Sequence, residues 1–160
     1  MPTFSEMWPI GVFTSIDTGL GVRLDVAREL GVSTIHLHAP SRQQREPHRV
    51  RELKARFAEL RLAVTTVFAG FEGESYADIP TTQRTVGLVP EETRATRLAE
   101  MREISDFAHA LGAPTIGLHI GFIPHESTHP VLYGEIVAVT QSLCEHSAKH
   151  GQEVHLETGQ

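Results

Sequence analysis

Three short stretches of the chain alternate aliphatic residues with residues that carry chemistry. In Glu153–Glu157, Val154 and Leu156 fall on one side of an extended chain and Glu153, His155 and Glu157 on the other, because successive side chains of a strand point to opposite faces. Ser33–Pro40 repeats the pattern, with Ile35 and Leu37 opposite His36 and His38. Pro114–Gly121 does so again, with Ile116, Leu118 and Ile120 opposite Thr115, Gly117 and His119. Acids and imidazoles on the second face of a strand are unusual unless that face lines a wet or metal-bearing interior.

Between these stretches the period lengthens to that of a helix. Leu20, Leu24, Ala27 and Leu30 recur at helical spacing, with Gly31 as the stop. Pro47 suits a first helical turn and opens a second helix, with Val50, Leu53, Phe57 and Leu60 as its inward stripe. Pro90, Glu91 and Glu92 open a third, the acids at the positive end of the dipole; Leu98, Met101, Ser105, Ala108 and Leu111 mark its buried side and Gly112 its end. A fourth, over 130–150, buries Leu132, Ile136, Val139 and Leu143 and stops at Gly151. Two further strands are predicted over 9–14 and 62–68, the second rich in β-branched residues.

The order is β-α-β-α-β-α-β-α-β, an α/β class of parallel strands joined by right-handed crossovers, in one domain over 1–160. In such folds functional residues collect at the C-terminal ends of strands, where His38, His119 and Glu157 lie. The connection from Gly70 to about Val89 is long for a compact domain. It reads either as a cover over a site or as a mobile surface loop.

Composition narrows the class without choosing a chemistry. Hydrophobic residues at 40% and charged residues at 21% are ordinary for a globular domain. A net charge of −6 argues against a nucleic-acid backbone or an anionic membrane as partner. No apolar run is long enough to span a bilayer, and the first residues lack the basic-then-apolar order of a secretion signal. The single Cys144 excludes an internal disulfide and fits a reducing cytoplasm. In the predicted fourth helix it lacks a basic activator, so it reads as packing or a spectator.

Glu157 is the leading candidate, since an inward carboxylate at a strand end can ligate a divalent metal or act as a base on a carbon acid. His38 and His119 suit hydrogen bonds to substrate hydroxyls or ligation through neutral imidazole. Against this stands an ordinary exposed Glu and two satisfied interior histidines. His36 and His155 lie one pleat deeper and suit structural hydrogen bonds. His125–His129 matches the HExxH zinc pattern, but that mechanism needs a helix, and Pro124 and Pro130 flank the segment; the match is by chance. His146 and His150 read as a solvated helix end. Gly19–Gly21 lacks the third glycine of a dinucleotide fingerprint, and Arg42, Arg45, Arg49 and Arg51 read as a solvated helix face.

Taken together, the segments Ala27–His38, Ala110–Gly121 and Glu153–Gln160 resemble the xylose isomerase-like sugar isomerase and epimerase superfamily of TIM barrels. The resemblance implies a (β/α)8 barrel of which only the first five strands are present, hence an N-terminal portion of a longer enzyme. It implies that Glu157 ligates a divalent metal (Mn, Mg, Co or Zn) and serves as acid/base, with a sugar or sugar phosphate as substrate. The family's remaining ligands, an Asp, a His and a second Glu, come from later strands. An incomplete barrel leaves strand edges open, so self-association or completion by the missing half-barrel is expected. Two other readings remain open: a non-catalytic half-barrel scaffold or binding module, and a multi-zinc phosphodiesterase of the apurinic endonuclease type, against which the charge weighs.

Overall fold

The alternation of the strands and the helical stripes between them assemble as one layer of sheet against one layer of helices. A computed structural model describes residues 9–158. Its elements are β1 (Gly11–Thr14), α1 (Leu24–Glu29), β2 (Thr34–His38), α2 (Pro47–Leu60), β3 (Ala63–Ala69), α3 (Ile79–Thr85), α4 (Glu91–Leu111), β4 (Thr115–Gly121), α5 (Pro130–Ala148) and β5 (Glu153–Thr158). The five strands are parallel and adjacent in chain order.

The aliphatic side of the sheet is the helix side. Ile35, Leu37, Val67, Ile116, Leu118 and Ile120 are fully buried, and Phe57, Met101, Ile104, Ala108 and Leu143 of the helices join them in one cluster. Each of the larger of these side chains contributes roughly 1.5–3 kcal/mol by leaving water. The pleat therefore turns the His- and Glu-bearing side away from the helices. Thr66 and Thr115 share that side; their hydroxyls lie 2.7 Å apart and Thr115 also donates to the Thr65 carbonyl at 2.6 Å, so polar groups between strands are paired.

Two elements differ from the expected order. The first helix is short, because the chain before it runs beside β1: Val22 N–H donates to Phe13 O, which keeps Leu20 out of the helix and about half exposed at 49%; Leu30, its C-cap, is 59% exposed. The 70–89 connection contains α3, started by the Asp78 carboxylate, which accepts from Thr81 N–H at 2.7 Å, with Pro80 in the first turn. Its seven residues carry no apolar stripe, so periodicity alone does not announce it. Among the described residues no helix is long and apolar enough to cross a membrane.

Among the described residues β5 pairs on one side only, and β1 has beyond β2 only the single bridge from Thr14 to Val22. Beside β5, Ile123, Val137 and Leu156 are about 40% exposed and line an apolar cavity of about 260 Å³ with Ile120, Ile136 and Cys144. An open edge next to exposed aliphatic surface favours association. The chain is expected to self-associate with rising concentration in gel filtration with light scattering, and Leu156→Lys to shift it toward monomer. A constant monomer mass for the unaltered chain at all concentrations would contradict this.

Candidate functional site

Strand register decides which inward residues meet. Leu118 pairs with Leu156, so His119 pairs with Glu157, and the two share one face at one level. His38 pairs with Phe68, Phe68 with Gly117 and Gly117 with His155. His38 thus lies on the same face one pleat deeper, about 7 Å along the strand direction. All three sequence-predicted residues belong to the inward face at the C-terminal strand ends; the adjacent pair is His119 and Glu157.

Each imidazole is held by its surroundings. His38 meets Phe13 edge-on, with ring centroids 6.1 Å apart, and its Nδ1 is 3.3 Å from Thr18 Oγ1. Its Nε2 lies against Gly70, where any Cβ would come within 2.6 Å, so the glycine makes room for the ring. Burial lowers the His38 pKa below the usual histidine value, opposed by the Ala39 backbone and the carboxylates of Asp17 and Glu74. The Gly121 N–H donates to His119 Nδ1 at 3.0 Å. A neutral imidazole accepting at Nδ1 carries its proton on Nε2, which is therefore a donor and not a free ligand atom.

The 70–89 connection supplies the rim. Tyr76 packs edge-on to His119 at 5.9 Å. Although the residue is 61% exposed, desolvation of its phenol, then the nearby charges of Glu74 and Glu157, push it up to about 12, so it keeps its proton at neutral pH. Glu74 accepts from Phe71 N–H at 3.0 Å and from Gly87 N–H at 2.8 Å. Buried Arg97 donates to the Gly87 carbonyl at 2.8 Å and lies 5.1 Å from the Phe71 ring centroid. Gly87 has φ +75°, and a Cβ there would sit 2.1 Å from Ile120 O, so only glycine lets the connection close onto the end of β4. The connection is thus tied down at both ends of its turn. Phe13, His38, Phe68, Gly70, Glu74 and Tyr76 line a cleft of about 460 Å³ under it. A larger groove, about 740 Å³, lies outside between α2 and α4 and is lined by none of His38, His119 and Glu157.

Other expectations resolve differently. His36 is exposed on the inward face, and exposed His155 lies 3.4 Å from Glu153, so neither carries a buried structural hydrogen bond. His125–His129 forms a turn and not a helix, as the flanking prolines require. The basic run is not wholly solvated: Arg45 is only partly exposed and pairs with Glu100 at 2.6 Å. Cys144 is exposed. Sequence reasoning passed over Glu74, Tyr76 and Arg97; the available signal was the acid-rich Glu72–Tyr76 directly after a strand end.

Glu157 offers one oxygen ligand of the kind hard divalent cations take. No group of three His, Cys, Asp or Glu ligand atoms converges around it among the described residues, so these residues hold only part of a metal shell there. A converging group does exist at the other end of the sheet: Asp106, His146 and His150, with ligand atoms all within 4.8 Å of one another.

Comparison with known proteins gives this geometry a family. A profile described as "Xylose isomerase-like TIM barrel" matches residues 24–159. A crystal structure of a xylose isomerase domain protein from Planctomyces limnophilus is 59% identical, with TM-score 0.91 over 96% of this chain and 54% of that one. A D-psicose 3-epimerase with D-tagatose from Clostridium cellulolyticum H10 shares the fold at 13% identity, TM-score 0.66, over 93% and 52%. A xylose isomerase-like TIM barrel protein from Mycobacterium smegmatis in complex with magnesium does so at 19%, TM-score 0.57, over 86% and 45%. The chain spans about half the length of these structures. No curated protein matches it.

Two outcomes follow from the site's geometry. The folded pKa of His38 lies below the unfolded value of about 6.5, so the unfolded chain binds this proton more readily. The stability tied to neutral His38 is complete above that pH and is lost as pH falls through the folded pKa. His38→Gln should therefore show a shallower fall in Tm between about pH 7 and 5 than the unaltered chain; equal slopes would remove the argument. Arg97→Leu should cost about 1–3 kcal/mol and speed amide exchange across 70–89, because it leaves the Gly87 carbonyl unpaired; unchanged exchange there would show that Arg97 does not hold the connection.

Proposed function

The chain belongs to the xylose isomerase-like TIM barrel family, and on that premise we propose that it supplies the Glu157 half of a sugar or sugar-phosphate isomerase or epimerase site. The observation that carries this is the pairing of His119 with Glu157 at the C-terminal strand ends. It sets a carboxylate beside an imidazole whose Nε2–H is free to donate. The substrate class is a ketose or related hydroxy-carbonyl sugar, consistent with relatives that are sugar epimerases.

In this reading the Glu157 carboxylate removes the proton next to the carbonyl and gives it back on another carbon or face, through an enediolate. His119 donates Nε2–H to a substrate oxygen and so fixes which carbon faces Glu157. His38, kept neutral by burial, offers a second hydrogen-bonding group one pleat deeper, in the adjoining cleft that Tyr76 also lines. Tyr76, protonated and edge-on to His119, borders the site at its rim, where Glu157 is open to solvent. A divalent cation (Mn, Mg, Co or Zn) held in part by Glu157 would supply Lewis-acid stabilisation of the charge developing on the carbonyl oxygen.

The test is solvent-deuterium exchange at the substrate carbon next to the carbonyl, in the protein with its full barrel and added Mn²⁺. Glu157→Gln should lower exchange by about 10²–10⁴-fold, the usual weight of a general base. Wild-type turnover in this variant would show that Glu157 does not carry the proton.

A further inference from the structure

We propose that Asp106, His146 and His150 form a second divalent-metal site, structural in role, that takes a borderline transition metal of the zinc class and clips α4 to α5. His146 Nε2 and His150 Nε2 each lie 2.8 Å from the same oxygen, Asp106 Oδ1. Three ligand atoms from two helices therefore already point at one another, all within 4.8 Å. A tetrahedral ion with bonds of about 2.0–2.2 Å needs neighbouring ligand atoms about 3.3–3.5 Å apart, so each O···N separation has to open by only about half an ångström. Solvent can complete the shell, since Asp106 is exposed and the two histidines are partly so.

The chemistry of the set selects the ion. Two imidazoles and one carboxylate suit Zn²⁺, Co²⁺, Ni²⁺ or Cu²⁺, whereas Mg²⁺ and Ca²⁺ want oxygen alone. Both helices end here: Asp106 is in the penultimate turn of α4, His146 in the last turn of α5 and His150 just beyond it. The negative ends of two helix dipoles thus favour a cation. The supports are rigid. His109 stacks on the His150 ring at 4.3 Å and 17°. Directly beneath, fully buried Ser105 and Ser147 are hydrogen-bonded at 3.2 Å, and Ser105 donates to Gln152 Oε1 at 2.7 Å.

This site is separate from the Glu157 end. It lies where α5 hands over to β5, and the four strand steps from Glu153 to Glu157 alone amount to about 13 Å. Its expected effect is on stability, because an ion that binds only the folded chain shifts the folding equilibrium toward it.

Zinc alone is the probe. The chelator-stripped protein, its Glu157→Gln variant and the His146→Ala/His150→Ala double variant are dialysed against Zn²⁺ and melted with and without it. Wild type and Glu157→Gln should each bind an equivalent of zinc here and gain several degrees of Tm. The double variant should lose that equivalent and the gain, with affinity down by more than about tenfold. In wild type, zinc should also move the ring resonances of His146 and His150, saturating at one equivalent. A double variant that binds as wild type does, or ring resonances that zinc leaves unmoved, overturns the proposal.

Discussion

The two-residue period of the pleat is the constraint on which the molecule rests. Because side chains alternate along β2 and along β4 as far as His119, committing Ile35, Leu37, Ile116 and Leu118 to the helices commits His36, His38, Gly117 and His119 to the other side. A slip of one residue would bury imidazoles among Met101, Ile104 and Leu143 and expose the aliphatics. The hydrophobic effect thus sets the site's register without acting on any site residue directly. The pairing of His119 with Glu157 is a by-product of burying Leu118.

The inward face bears its polar load in two ways. Where strands are close and buried, hydroxyls satisfy one another, as in Thr66 and Thr115. Toward the strand ends the groups stay partly open and aromatic edges from Phe13, Phe68 and Tyr76 surround them. That mixture shifts protonation selectively. His38 is pushed toward the neutral form mainly by burial, and Tyr76 keeps its proton because its anion would be desolvated beside Glu74 and Glu157. Both end as neutral hydrogen-bonding groups around an acid, the combination suited to handling sugar hydroxyls.

The two ends of the sheet differ in the kind of charge they gather. At the C-terminal end the Glu157 carboxylate is the ladder partner of an imidazole already committed at Nδ1. At the N-terminal end, two imidazoles and an aspartate converge. Burial alone would raise the Asp106 carboxyl, but the hydrogen bonds from His150 and His146 outweigh it and hold the group below the usual carboxylate range. The helices that shield the aliphatic face bring this second group together, since α4 and α5 must lie side by side to cover β4 and β5.

The sequence by itself determined the parallel α/β order, the buried face and the inward placement of His38, His119 and Glu157. These depend on periodicity and local stops such as Gly112 and Gly151, which are local properties of the chain. It did not reveal α3, which is started by one cap and has no apolar stripe, nor the ion pair of Arg45 with Glu100, 55 residues away. It placed His146 and His150 at a solvated helix end without their partner, because Asp106 reaches them only when two helices pack. Only the tertiary structure decided that His119 faces Glu157 while His38 sits a pleat deeper, and that Arg97 and Glu74 fasten the rim. Spacing along one strand fixes a side chain's face; its level relative to other strands is set by hydrogen-bond registers between segments far apart in the chain.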